Sequence, residues 1–192
     1  MGMDVDRIRT GVAVVSIAAL IGAVAWLSTS DRVAKPMPVN GDVLGRYHGE
    51  SLDDYLARAG DSLAVTPDDD DGFALVTFRE LQPAADAARV LEQADIGRVN
   101  ALVLDGAVPV ALPEPTGAEG REEVFDRTLN LIGHSLGDGG TLPDRRLRGV
   151  VVWDDGRALR VLAGEPEVLA VEVLPPDAAW GRIGVQPVVR PE

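Results

Sequence analysis

Carboxylates grouped in two short runs are the residues of this 192-residue sequence best suited to chemistry. The first run consists of four consecutive aspartates before a glycine: Asp68, Asp69, Asp70 and Asp71. Carboxylate oxygens are preferred ligands of Ca²⁺, so these four residues are the candidate metal site. An EF-hand loop needs a ligand at its first position and Glu at its last, where this sequence has Pro67 and Phe78. We therefore interpret the run as a solvated turn before a strand, and we predict no metal and no cofactor.

The second run is the pair Asp154 and Asp155. Two neighbouring acids can divide acid and base roles when their surroundings separate their pKa values. A carboxylate-based hydrolase or cation-binding protein is therefore one alternative for the function. Both runs lie in predicted turns beside glycine, where carboxylates usually serve as solvated surface groups. The sequence favours a protein that is not an enzyme, and we predict no catalytic residue.

Histidine, serine and cysteine form no catalytic pattern in the sequence. His134 and Ser135 are adjacent, but neighbouring residues on a helix point about 100° apart, so they do not form a nucleophile–base pair. His48 has no partner motif. The absence of cysteine excludes disulfides, thiolate metal sites and cysteine nucleophiles.

The net charge of −13 excludes further classes of partner. Nucleic-acid binding requires clustered lysine and arginine, and the sequence shows no such cluster. The same charge disfavours peripheral binding to anionic lipid. We therefore predict no nucleic-acid partner.

An uncharged apolar run, residues 11–27, precedes all these residues and determines the compartment. Its length reaches the lower limit for a helix that spans a bilayer core of about 30 Å. It also lacks the polar stripe of a soluble amphipathic helix. We predict a transmembrane helix, in which Trp26 marks the membrane–water boundary. The anchor residues would be Val12, Val15, Ile17, Leu20, Ile21 and Trp26.

A cleaved signal peptide is the alternative for this run. Arg7 and Arg9 would form its charged region, and residues 23–25 its small-residue cleavage site. The apolar run continues past that site, and Asp4 and Asp6 precede it, which favours the uncleaved anchor. A short N-terminus before a long C-terminal part favours export of that part. We predict a single-pass protein of the cell membrane whose C-terminal domain lies outside the cytoplasm, in contact with membrane lipid through its helix.

The rest of the sequence indicates one modest domain behind a spacer. Proline-rich polar segments act as semi-rigid spacers, and one such segment follows the apolar run. The predicted organisation is an N-terminal tail (1–10), a transmembrane helix or signal peptide (11–27), a proline-rich linker (28–46), an α+β extracytoplasmic domain (47–177) and an extended tail (178–192).

Hydrophobic periodicity predicts two strand–helix–strand units within that domain. A short helix from Ser51 to Gly60 comes first. The first unit comprises strand 73–78, a helix from Pro83 to Gly97 and strand 98–104, with residues 107–112 confined to a sheet edge by Pro109. A helix over 119–136 separates it from the second unit, which comprises strand 147–153, helix 157–164 and strand 168–174. This pattern predicts a ferredoxin-like split βαβ sheet of four strands with helices on one face and one inserted helix.

The second unit resembles the closing βαβ segment of two known families. The resemblance lies in residues 149–152, Leu159, Leu162, Glu165-Pro166, Val168 and residues 171–175. One family is the subtilisin-propeptide inhibitors, and the other is the C-terminal domain of sigma-factor regulators, which residues 73–104 also resemble. The whole chain is similar to single-pass exported proteins of actinobacteria. These resemblances imply a ferredoxin-like domain and, as an alternative function, an accessory role in envelope stress or sigma-factor regulation.

The sequence thus leads to a non-enzymatic, membrane-tethered protein-interaction domain outside the cytoplasm. Its partner is an unidentified protein. Open sheet faces and edges in such folds serve for protein contacts, for example by strand addition.

Overall fold

The computed structural model describes residues 41–105, 109–135, 145–186 and 188 of the chain. The predicted membrane segment, with its anchor residues from Val12 to Trp26, lies outside the described residues. Among the helices of the described ranges, none is long and apolar enough to cross a bilayer.

The described residues form an α+β fold in which helices alternate with strands. Two short strands, β1 and β7, come first and last. The elements are β1 Asp42–Gly45, α1 Leu52–Val65, β2 Asp71–Gln82, α2 Ala84–Gln93, β3 Arg98–Leu104, β4 Val110–Ala111, α3 Arg121–Ser135, β5 Leu147–Asp155, α4 Gly156–Ala163, β6 Val168–Val173 and β7 Ile183–Gln186.

The main sheet has five strands in the order β4-β3-β5-β2-β6, and each neighbouring pair is antiparallel. Strands β2 and β3, joined through α2, lie on either side of β5. Strands β5 and β6, joined through α4, lie on either side of β2. Helices α2 and α4 therefore each connect two strands that run in the same direction with one strand between them.

Apolar side chains cover both faces of this sheet. Helices α2, α3 and α4 pack on one face, and their core includes Val76, Leu91, Phe125 and Leu159. Helix α1 and a parallel two-stranded sheet of β1 and β7 cover the other face. The sequence predicted helices on one face only. The second cover is needed because β2 is apolar on both faces, with Val76 turned to one core and Leu75 to the other.

Helix α1 is longer than its sequence predicts. Ser51 caps its first turn as expected, since the Ser51 Oγ accepts a hydrogen bond from the Asp54 amide at 3.0 Å. The predicted end at Gly60 is wrong, because the helix continues to Val65. Burial of Ala59 and the packing of Leu63 against the α2–α4 core outweigh the low helix propensity of one exposed glycine.

Strands β1 and β7 extend the folded part beyond the predicted domain limits. Residues 42–45 lie in the segment predicted as linker, and residues 183–186 lie in the predicted tail. The two strands meet closely because Gly41 and Gly45 adopt φ angles of +80° and +97°. A Cβ at either glycine would overlap a carbonyl oxygen of the β7 segment, so a side chain at these positions would separate the strands.

The predicted limits are close to the observed ones for β3, α3, β5, α4 and β6, whereas α2 ends at Gln93 and not at the predicted Gly97. Strand β3 has the predicted limits, and β4 lies at the sheet edge where Pro109 was expected to confine it. Residues 106–108 lie outside the described part. Strand β2 runs from Asp71 to Gln82, well beyond the predicted 73–78, because it pairs with β5 from Asp71 to Thr77 and again at Gln82.

Candidate functional site

The two acidic runs lie side by side at one end of the main sheet. Strand β2 begins where β5 ends, so Asp71 pairs in register with Asp155, and Gly72 pairs with Asp154. In the sequence these two runs are more than eighty residues apart. The antiparallel register of β2 and β5 brings the ends of the two runs next to each other.

The first two aspartates of the turn form ion pairs with helix α4. Asp68 Oδ1 accepts a hydrogen bond from Arg160 Nη1 at 2.7 Å, and Asp69 Oδ1 accepts one from Arg157 Nη2 at 3.1 Å. The turn closes through a longer bond of 3.4 Å from the Asp70 amide to the Pro67 carbonyl. The run is thus a surface turn that docks onto α4, and Asp70 and Asp71 extend from it as exposed residues.

Asp154 and Asp155 hold backbone groups in place. Asp154 Oδ2 accepts a hydrogen bond from the Gly97 amide at 2.6 Å, and its Oδ1 accepts one from the Asp155 amide at 2.9 Å. Asp155 Oδ1 accepts the Ala158 amide at 2.8 Å and so caps the start of α4. These bonds give both carboxylates a structural role at the strand ends. Within the described ranges, no three or more His, Asp or Glu side chains are grouped so that they could hold a metal.

Three aromatic rings continue this surface along the sheet. Phe73 is paired in register with Trp153, and their ring centroids lie 6.5 Å apart. Trp180, from the turn after β6, stacks on Phe73 at 5.7 Å with an interplanar angle of 26°. Trp153 is 36% exposed and Trp180 42% exposed. Three of the seven aromatic residues in the described ranges thus meet at one exposed place, which makes it the main aromatic feature of this surface.

We call the two acidic runs together with Phe73, Trp153 and Trp180 the acidic–aromatic surface. Asp71 and Phe73 are two residues apart on β2 and so lie on the same face of the sheet. Six aspartates belong to this surface, and the paired Arg157 and Arg160 offset two of their charges. The surface therefore combines apolar rings with an excess of negative charge.

Sequence reasoning missed this surface because its parts come from distant segments. The sequence places Phe73 and Trp153 in two separate predicted strands and Trp180 in the predicted tail. The local signal lies in β5, where Trp153 follows three buried valines and directly precedes two aspartates. The hydrophobic pattern of the sequence does not indicate that Trp180 stacks on Phe73, because the two residues are far apart along the chain.

A second cluster of charged residues lies between α1, β1 and β6, and we call it the buried cluster because Glu172 is buried within it; the Arg58 side chain is 31% exposed. Arg58 donates two hydrogen bonds to Glu50, from Nε at 2.9 Å and from Nη2 at 3.0 Å. Its Nη1 donates to Glu172, and its Nη2 also donates to the Gly45 carbonyl at 2.9 Å. Glu172 is only 3% exposed, and its Oε2 accepts the Gly45 amide at 2.6 Å.

Burial and charge act in opposite directions on the acids of this cluster. Burial raises the pKa of Glu172 above its ordinary value, although bonds from Gly45 and Arg58 act to lower it. Hydrogen bonds from Arg58 hold the pKa of Glu50 below its ordinary value. Burial also raises the pKa of Tyr55, whose hydroxyl lies 3.3 Å from the Thr77 hydroxyl.

This buried cluster serves to join three elements. One guanidinium connects α1 with the end of β1 and with β6, and it lies 4.2 Å from the centroid of the Tyr47 ring. Both carboxylates are engaged with that guanidinium. The residue that indicates this cluster in the sequence is Glu172, because it is a single acid within the apolar strand 168–173.

The two histidines occupy separate elements. His48 is exposed in the turn after β1, and His134 is exposed in the last turn of α3. Neither belongs to the acidic–aromatic surface or to the buried cluster as defined above.

Comparison with known protein families, with curated proteins and with solved structures finds no match for this chain. Its function is therefore inferred from the arrangement of its own residues.

Proposed function

We propose that the chain is a non-enzymatic protein-interaction domain, tethered outside the cytoplasm by an N-terminal membrane helix over residues 11–27. The acidic–aromatic surface is the observation that supports an interaction role. Tryptophan is enriched among the residues that dominate binding energy at protein interfaces. Two partly exposed tryptophans around a phenylalanine, with charged residues beside them, have the composition expected of such a contact site.

We further propose that the main sheet is ferredoxin-like. Its four longer strands, numbered along the chain, lie in the order fourth, first, third and second, as β6, β2, β5 and β3. Helices α2 and α4 connect them and contribute to one core. In this assignment α3 is the inserted helix and β4 is an added edge strand. The order of the strands and the shared helical face support the assignment.

The edges of the sheet favour contact through side chains rather than by strand addition. The outer edge of β6 lies against α1, where Ser62 Oγ accepts the Val173 amide at 2.9 Å. At the other edge, β4 has only two residues, and Pro109 and Pro113 flank it. A covering helix and a short edge strand with prolines are both features that prevent strand pairing.

Membrane topology is tested by protease treatment of intact spheroplasts that express the full chain with a C-terminal tag. Loss of the tag, together with a membrane-bound species of full length before treatment, is expected for an uncleaved anchor with the domain outside. Protection of the tag in sealed cells would place the domain in the cytoplasm and overturn this part of the proposal.

The interaction role is tested by affinity capture from solubilised membranes with the tagged full chain. We expect at least one protein to be recovered above a tag-only control and to depend on Trp180. If the full chain recovers nothing above that control, the proposed interaction role is wrong.

A further inference from the structure

We infer that the acidic–aromatic surface binds a cationic segment of a partner protein, rich in arginine or lysine. This inference rests on the proposed interaction function and specifies the chemistry of the partner. Two features of the surface, its charge and its exposed rings, both favour a cation.

The charge of the surface is complementary to a basic segment. Asp70 and Asp71 are exposed and lie beyond the two aspartates that Arg157 and Arg160 engage. Arg98, which lies opposite Trp153 on β3, forms an ion pair with Glu114 at 3.1 Å. The net charge of −13 over the whole chain adds a long-range attraction for positive partners.

The exposed rings provide a second attraction for the same partner. The face of a tryptophan ring attracts guanidinium and ammonium groups, and tryptophan does so more strongly than tyrosine or phenylalanine. The chain already uses this contact internally, where Arg58 lies 4.2 Å from the centroid of the Tyr47 ring. A basic side chain above Trp153 would place its charge near the carboxylate of Asp71, which lies on the same face of the sheet.

Other occupants fit this surface less well. Nucleic acid and anionic lipid carry the same sign of charge as the aspartates. A second copy of this chain would bring two acidic surfaces together, which like-charge repulsion opposes. A bare metal ion would have to displace the bonds that engage Asp154 and Asp155.

The test titrates the full chain, in detergent micelles, with an alternating Arg-Gly peptide and with an alternating Glu-Gly peptide. We expect the Arg-Gly peptide alone to bind. The double variant Asp70→Asn/Asp71→Asn should weaken its binding by about tenfold or more, as should Trp180→Ala. The matched control Asp53→Asn/Asp126→Asn removes the same charge from exposed positions on α1 and α3 and should change the affinity by less than about twofold.

Three results would overturn the inference. The first is that the two double variants weaken binding of the Arg-Gly peptide equally, which would show an effect of net charge alone. The second is that Trp180→Ala leaves the affinity for this peptide unchanged. The third is that the Arg-Gly and Glu-Gly peptides bind equally well. The asparagine substitutions are on exposed side chains, so their result does not depend on the stability of the Trp180 variant.

Affinity capture tests the proposed interaction function separately from the assignment of this surface. If the wild-type chain captures a membrane protein and the Asp70→Asn/Asp71→Asn variant captures it equally well, the interaction role stands and the assignment of this surface is wrong. If the wild-type chain captures nothing, the interaction role is wrong, whatever the peptides show.

Discussion

Arg58 is the residue on which the buried cluster depends. Its guanidinium contacts both Glu50 and Glu172, and it also binds the carbonyl of Gly45. A buried charge that loses its partner is far more costly than an exposed one, because water cannot solvate it. The contribution of an ion pair to stability therefore depends on how deeply the pair is buried.

We predict that Arg58→Met lowers the free energy of unfolding by about 3–5 kcal/mol, because it leaves Glu172 buried without its counter-ion. Urea unfolding of the full chain in mild detergent measures this change. The control is Arg89→Met, which breaks an exposed pair with Glu167 and should cost less than about 1 kcal/mol. Similar costs for the two variants would contradict the role assigned to the buried cluster.

Glu172 should also leave a signature in the pH dependence of stability. Because its pKa is raised in the folded chain, there is a pH range between the ordinary and the raised pKa in which the folded state retains a proton that the unfolded state releases. The Glu172 contribution to the free energy of unfolding therefore decreases as pH rises from about the ordinary value of 4.5 through the raised pKa. Glu50, whose pKa is lowered, acts oppositely: its contribution is lost as pH falls below its ordinary value.

We predict that the stability of wild type relative to Glu172→Gln decreases as the pH is raised from about 4 to about 7. Glu50 is present in both proteins, so its opposite effect largely cancels in the difference. Urea unfolding at several pH values measures it. A relative stability that increases over this range would mean that the pKa of Glu172 is lowered rather than raised.

At the scale of elements, Gly60 and Gly149 differ in whether the structure has room for a side chain. Gly60 lies exposed within α1, and an added Cβ would have no neighbour within 4 Å. Gly149 lies within β5, where a Cβ would overlap the carbonyl oxygen of Val76 on β2. The first glycine only weakens a helix, whereas the second permits two central strands to approach.

We predict that Gly60→Ala raises the free energy of unfolding by about 0.5–1 kcal/mol, because alanine is the better helix former. Gly149→Ala should lower it by about 2 kcal/mol or more, since the strands must separate. Thermal unfolding of the two variants and wild type checks both. If Gly60→Ala were destabilising, α1 would not continue through residue 60 in the way described.

The sequence was sufficient to predict those helices and strands that are determined by the pattern of nearby residues. The limits of β3 and the two strand–helix–strand units follow from hydrophobic period, and Pro109 correctly placed β4 at an edge. It was insufficient for α1 beyond Gly60, where tertiary packing outweighs helix propensity. It also did not reveal the acidic–aromatic surface, because the register of β2 against β5 and the stacking of Trp180 are long-range contacts.

At the scale of the whole molecule, β1 pairs with a strand from the other end of the described residues. Its four residues are too short for a periodic signal, and their partner lies near the other end of the chain, with Asp42 opposite Ile183. Leu44 is nevertheless fully buried against the α1 side of the sheet. Both segments predicted as linker and tail thus contribute to the cover of one core.

We predict that Leu44→Ala lowers the free energy of unfolding by about 2–5 kcal/mol, as expected for a fully buried leucine. The matched control is Leu131→Ala, at a position 68% exposed on α3, which should change it by no more than about 0.5 kcal/mol. Urea unfolding measures both. A cost below about 1 kcal/mol for Leu44→Ala would show that β1 is not part of the cooperative unit.

The parallel pairing of β1 and β7 has a mechanical consequence. The chain enters this small sheet at residue 42, next to the start of β7, and leaves it at residue 186, next to the end of β1. A force that pulls these two points apart slides the strands lengthwise in opposite directions. It therefore loads the interstrand hydrogen bonds together, in shear, instead of opening them one after another. Tension along the chain would meet its resistance at these two strands before it reached the five-stranded sheet.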